Sequence, residues 1–191
     1  MRPALKFALL FSGAWMLLKL IFLYFNIFQD DVVKPGLINN LFLLLAISLG
    51  LYYEKKKEGF GTGTPLSDIK NALTAGAPYV LIVSVFMFFY YDDINPSFIE
   101  NRVTERMDII YGEMESEAYV DTLRVHNPEF RVMTKEEIVR DIKSDTESAL
   151  SAKTLFVFSL LGLMVMALTY AIFLTVIYRK ILLKDFYSST E

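Results

Sequence analysis

Hydrophobic residues along the 191-residue chain gather into four long runs, near Ala4–Phe28, Gly36–Tyr53, Leu66–Tyr91 and Ala152–Tyr178. A helix needs roughly 20 residues to cross about 30 Å of hydrocarbon, so each run predicts a transmembrane helix. The second run is slightly short and can tilt little. The third holds Pro78 after "TAGA", with Asp68, Lys70 and Asn71 in its first turns. That pattern predicts an amphipathic start, a kink near Pro78 and a strongly apolar second half. Arg2 and Lys6 give the first run a basic start, as a signal peptide has. Its apolar stretch is too long for one, and no small-residue cleavage site follows. It reads as a retained span.

Between the third and fourth runs the pattern changes. In "SFIENRVTERMDIIYGEM" the apolar residues Ile99, Val103, Met107, Ile110 and Met114 recur every three or four positions, as on one helix face. Asn95 is expected to cap this helix, and Pro96 suits its first turn. "HNPEF" reads as a turn. Thr134 and Glu137 then have the spacing of a capping box. Ile138, Ile142 and Ala149 continue one face toward the fourth run. No breaker stands between Thr134 and Gly162, so one long helix is expected to carry the fourth span out of the membrane. Two such helices facing each other predict an antiparallel hairpin. The predicted fold class is all-α: a polytopic membrane protein with four transmembrane helices and a periplasmic helical hairpin between the third and fourth. Residues 1–91 would hold three spans with short loops, 92–148 the hairpin, and 149–191 the fourth span with a short cytoplasmic tail.

Composition narrows the chemistry. The chain has no cysteine, which excludes disulfides, thiolate catalysis and cysteine zinc sites, and its one histidine, His126, cannot build a histidine metal site alone. A net charge of −3 gives no reason to expect nucleic acid. No cofactor is expected. The charge is unevenly spread: 92–148 carries 15 acids and 7 bases, about −8, so the rest of the chain is net positive. The turn "NIFQDDVVKPG" has one lysine and two aspartates, whereas "EKKKEGFGTGTPLSDIK" has four lysines, and Arg179, Lys180 and Lys184 follow the fourth run. Basic loops stay inside. Both termini and the Lys55–Lys57 loop are therefore expected in the cytoplasm, and 92–148 outside, which in a Gram-negative cell is the periplasm.

Several stretches together carry a likeness: "YYEKKKEG" at the end of the second run, the glycine-rich loop after it, "INPSFIENR", the acidic helices, and a final span ending in "YRKILL". Over nearly its whole length the chain resembles an uncharacterised Bacteroidota family of four-span membrane proteins that carries only a domain-of-unknown-function number. The resemblance implies a fold and an inner-membrane address, and no activity. It also implies an association with a polyprenyl-phosphate glycosyltransferase pathway.

The residue that stands out is Lys19, set into "WMLLKLIFLYFN" just outside the centre of the first span. A lysine at mid-span costs about 2.5–3.5 kcal/mol on insertion scales, so it should face other helices or a wet cavity. Ser12, Trp15, Lys19, Leu23 and Asn26 share one helix face. On one reading Lys19, with Ser12, Trp15 and Asn26, contacts an anionic group or a partner. On the other it bonds carbonyls and hydroxyls inside its own bundle. No acid lies at mid-depth in the other spans to pair with it.

Lys55, Lys56 and Lys57 are candidate headgroup contacts, or else an ordinary topology anchor. "GFGTGTP" (59–65) lacks the Walker lysine and the preceding strand of a phosphate loop, so it reads as a turn capped by Thr64 and Pro65. Asp92 and Asp93 could do acid–base work or hold a divalent cation, but read more simply as a solvated helix end. His126 reads as an exposed turn residue. Small residues mark candidate helix-packing positions: Ala46 and Gly50, Ala72 and Gly76, and Ser159 and Gly162.

Three functions compete. An accessory or scaffold subunit would bind another membrane protein, or a second copy of itself, among membrane lipids. A small oligomeric transporter or lipid-handling protein would use Lys19 to hold an anionic group. An enzyme ranks last, because no catalytic constellation is visible.

Overall fold

The computed structural model describes residues 1–28 and 31–182. Asp30 and Lys184, which contribute to the expected orientation, lie outside the described residues, as does the end of the expected 149–191 segment from residue 183 on. The described residues form seven α-helices and no strand: α1 (Pro3–Tyr24), α2 (Val33–Glu58), α3 (Pro65–Phe89), α4 (Ser97–Glu113), α5 (Glu117–His126), α6 (Lys135–Ala149) and α7 (Ala152–Ile177). Four of them, α1, α2, α3 and α7, are long and apolar enough to cross a membrane, and α3 and α7 are prolonged by wider π turns to Ile94 and Leu182. The protein is thus an all-α, four-span, multi-pass membrane protein. The chain divides into two compact units: a spanning unit of 1–86 and 157–191, and an acidic unit of 87–156. The divisions fall inside α3 and α7, a few residues to the membrane side of the boundaries expected from charge.

Local chemistry explains the ends. Pro3 starts α1, where its missing N–H costs nothing. α1 stops at Tyr24, and Asn26 and Phe28 turn the chain with φ of 55° and 58°. Asp31 opens α2: its Oδ1 accepts from the Val33 and Lys34 amides at 2.8 and 3.1 Å. The Lys34 side chain and amide beside it hold this exposed carboxyl below the usual carboxylate range. Between α2 and α3, Gly59, Gly61 and Gly63 adopt φ of 99°, 90° and 76°, which favour glycine. Thr64 then accepts from the Ser67 amide and caps α3, as the turn reading expected. Pro78 lies within α3 without ending it.

In the spanning unit α2 is central. α1 lays Ala4, Ala8, Ser12, Trp15 and Lys19 inward. A Cβ on Gly50 would come within 2.7 Å of the Ala75 Cβ and 3.3 Å of the Ala4 Cα, so α1, α2 and α3 meet at this glycine. A Cβ on Gly76 would meet Ile47 at 3.1 Å and Ala167 at 3.2 Å, which brings α7 to the same core. Small residues let backbones approach where lipid removes the hydrophobic drive between helices.

The acidic unit has a core of its own: Val103, Met107, Ile110, Met114, Val120, Phe130 and Ile138, with Ile99 and Ile142 partly buried against it. The helical face read for α4 is the buried one, and the Thr134–Glu137 capping box is present in both directions. Three expectations are corrected. The unit is not a two-helix hairpin, because α5 and a 3₁₀ turn (Pro128–Val132) separate α4 from α6. Ser116 interrupts the helical pattern there, and the Asn127–Pro128 pair ends α5. The fourth span is not one helix from Thr134, because α6 ends at Ala149 and α7 starts at Ala152. Hydroxyls cause the break. Ser151 Oγ and Thr154 Oγ1 donate to the Ser148 carbonyl at 2.9 and 2.8 Å, and Ser151 Oγ accepts from the Thr154 amide at 3.3 Å. They give the backbone an alternative to the next helical turn. Finally, Asn95 does not cap α4 through its side chain. Its Oδ1 accepts from the Ser97 hydroxyl at 2.9 Å.

Candidate functional site

The strongest polar cluster lies where α2 ends and α3 begins. Lys55 Nζ sits 2.5 Å from Asp68 Oδ1 and donates to the Thr62 carbonyl at 2.5 Å. Arg179, just beyond α7, donates through Nε to Asp68 Oδ2 at 2.6 Å and through Nη2 to the Gly63 carbonyl at 2.7 Å. Lys55 and Asp68 have side chains only 1% and 2% exposed, so this is a buried ion pair with a second cation on its other oxygen. Such a pair is tolerable only because hydrogen bonds satisfy the remaining protons. The glycine-rich loop supplies them. Its left-handed residues turn the Thr62 and Gly63 carbonyls onto the two cations.

Neighbouring contacts extend this end into a latch across all four spans. Glu54 Oε1 accepts from the Ala4 amide at 3.3 Å, so α2 caps α1. Asn71 donates to both Glu58 oxygens at 3.1 Å, and the Tyr178 hydroxyl donates to the Ser48 carbonyl at 3.2 Å. Lys55 is therefore corrected: it is buried in an ion pair and does not reach headgroups. Lys56 and Lys57 are exposed, with Lys56 Nζ 5.9 Å from the Tyr53 ring centre. Sequence reasoning missed Asp68 and Arg179 as a pair. The available signal was an acid in the first turn of an apolar run, which needs a partner at that depth.

Lys19 lies elsewhere. Phe11 and Trp15 both meet Phe42, and Phe7 meets Tyr53, so α1 and α2 run antiparallel. One turn beyond Trp15, Lys19 comes level with the turn of α2 that carries Asn39. There Tyr79, from α3, donates to Asn39 Oδ1 at 2.7 Å. Lys19 is 8% exposed, on the same buried face as Ser12 and Trp15. Trp15 Nε1 and Asn40 Oδ1 are buried without a hydrogen-bond partner. Asn26 is corrected: it lies past the end of α1, exposed, and does not continue that face.

The remaining residues are quickly placed. Ala46, Gly50, Ala72 and Gly76 are buried in the helix core. Ser159 and Gly162 are not: Ser159 is half-buried, and Gly162 is exposed with nothing within 4 Å of an added Cβ. α7 packs instead through Ala167, Ala171 and Leu174, one to three turns further on. Asp92 and Asp93 are exposed, and no cluster of three potential metal-binding side chains occurs among the described residues. His126 is exposed, with Nδ1 2.8 Å from the Thr122 carbonyl. The chain matches no protein-family model, no curated protein sequence and no solved structure.

Proposed function

We propose that this multi-pass membrane protein is a non-enzymatic accessory or scaffold subunit of a larger inner-membrane assembly. Both termini face the cytoplasm, and the acidic unit faces the periplasm. The observation that carries the reading is the surface of the acidic unit. In a segment dominated by charge, Ile109, Tyr111, Val125 and Val132 stand half or more exposed, Val132 at 89%. A protein partner would cover these side chains, which the unit's own core leaves out. The resemblance to the Bacteroidota family supports the inner-membrane address, and the lysine-rich loop supports the orientation.

A second reading has its own support. Lys19 is buried one helical turn from Trp15, whose indole N–H has no hydrogen-bond partner, which suits a site for an anionic group in a lipid-handling protein or small transporter. One experiment separates the two: a tagged pull-down from native membranes in mild detergent, with proteins and lipids identified by mass spectrometry. A stoichiometric membrane-protein partner is the expected result. A monomer that captures no protein, but keeps an anionic lipid lost on Lys19→Met, would replace the first reading with the second.

A further inference from the structure

The spanning unit carries a groove of about 470 Å³ between the start of α1 and the first half of α3. Arg2 and Lys70 stand at it, with Leu5, Leu73, Thr74, Ala77 and Pro78 forming the rest. We propose that this groove holds one anionic phospholipid, its phosphate between Arg2 and Lys70 and the start of an acyl chain along the apolar floor. The inference is independent of both readings of function above.

Position along the helices argues for a lipid. Arg2 is the N-cap of α1, and Lys70 lies in the second turn of α3, so both mark the end of a span, where headgroups lie. Lys70, Leu73, Thr74, Ala77 and Pro78 fall at i, i+3, i+4, i+7 and i+8, on a single face of α3. That face runs about 12 Å toward the membrane interior at 1.5 Å per residue. The charge therefore sits at the edge of the span and the apolar surface below it, in the order that a phospholipid presents them.

Charge complementarity argues for an anionic one. Arg2 and Lys70 are exposed, and Lys6 stands exposed one turn along α1. Three acids at this end of the spans have partners of their own: Glu54 the Ala4 amide, Asp68 Lys55 and Arg179, and Glu58 Asn71. Asp68 is thus balanced by two cations, Glu54 and Glu58 bond neutral donors outside the groove, and the groove's own lining holds two cations and no acid. Its volume lies within the range of ordinary ligand pockets and exceeds what a bare phosphate fills. The Thr74 hydroxyl is satisfied by the Lys70 carbonyl at 2.9 Å, so it makes no polar demand on the chain below.

The test is native mass spectrometry of the full chain, extracted in mild detergent after reconstitution into vesicles of equal phosphatidylglycerol and phosphatidylethanolamine. One phosphatidylglycerol should remain bound in preference to phosphatidylethanolamine. Removing both cations at once in Arg2→Gln/Lys70→Gln should reduce its retention by about 30-fold. Ala77→Trp, which fills the floor without touching charge, should reduce it as well. Lys56→Gln/Lys57→Gln, elsewhere on the same surface, and Lys19→Met should leave it unchanged. Elution volume and thermal midpoint show that each variant is folded. Retention of the two lipids in equal amounts would overturn the proposal. So would a folded Arg2/Lys70 double variant that holds phosphatidylglycerol like the parent, or equal loss on changing Lys56 and Lys57.

Discussion

In the spanning unit α2 and α3 approach closely through glycine and alanine, at Gly50 and Ala75. In the acidic unit the centre is filled by Met107, Ile110, Phe130 and Ile138. The difference follows from the solvent each meets. Water drives large apolar side chains together, at about 25 cal/mol per Å² removed from it. Lipid does not, because a leucine against an acyl chain is already in apolar surroundings. Hence Leu10, Leu17, Phe158, Leu161 and Val165 stay on the outside of α1 and α7, while alanine, glycine and polar groups share the interior with Trp15, Leu43, Ile47, Leu51 and Tyr79. What fastens the spanning unit is close backbone approach and the latch around Asp68. What fastens the acidic unit is apolar burial and helix caps.

The largest effect should come from the latch. Asp68→Ala leaves the Lys55 ammonium buried without its carboxylate partner, and removes a charged acceptor of Arg179. Breaking one side of a buried pair typically costs about 3–5 kcal/mol. The variant should unfold at markedly lower denaturing-detergent fraction in mixed micelles. Asp68→Ala/Lys55→Met, which removes both buried charges, should recover much of the loss. No recovery would mean that Asp68 acts mainly through Arg179 and the glycine loop.

The acidic unit should respond to a different kind of change. Ile138 is fully buried, and Ile138→Ala should cost about 2–5 kcal/mol, the lost transfer energy plus the cavity. Amide exchange should rise in α4, α5 and α6 while the cores of α1 and α2 stay protected. Uniform exchange throughout the chain would show that the two units unfold as one, and the contrast between them would fail.

The sequence made much of the acidic unit legible. The Ile99–Met114 periodicity and the Thr134–Glu137 box depend on residues three or four apart, so their partners are visible locally. The four spans were legible for the same reason, since length and hydropathy are local quantities. The latch was not. Lys55, Asp68 and Arg179 come from three separate stretches of chain, and the register that joins them is set by Gly50 and Gly76, which show only that something packs closely. The α6–α7 break was visible in principle, as Ser148, Ser151 and Thr154 at three-residue spacing. A search for proline and glycine breakers passes over it, because a hydroxyl interrupts a helix only when it bonds the backbone. Asn26 failed for a simpler reason: the helical face was extended past the point where the helix stops.

Two glycines offer the finest test of how the spanning unit packs. Sequence marked Gly50 and Gly162 alike as packing positions, but the fold gives them opposite surroundings. A methyl group at Gly50 must displace Ala75 and the α1 backbone, neither of which is the end of a flexible side chain, so Gly50→Ala should cost about 1–3 kcal/mol. At Gly162 the same methyl meets nothing, and relief of glycine's helix penalty should leave the protein unchanged or stabilise it by up to about 1 kcal/mol. Unfolding of the two variants in mixed micelles reads the sign directly. Gly50→Ala as stable as the parent would show that the α1–α2–α3 approach is loose enough to absorb a methyl. A loss at Gly162 that appears in native membranes, but not in detergent that isolates the chain, would mean that another helix lies against α7 there. The accessory reading would then gain a contact face within the membrane, in addition to the one on the acidic unit.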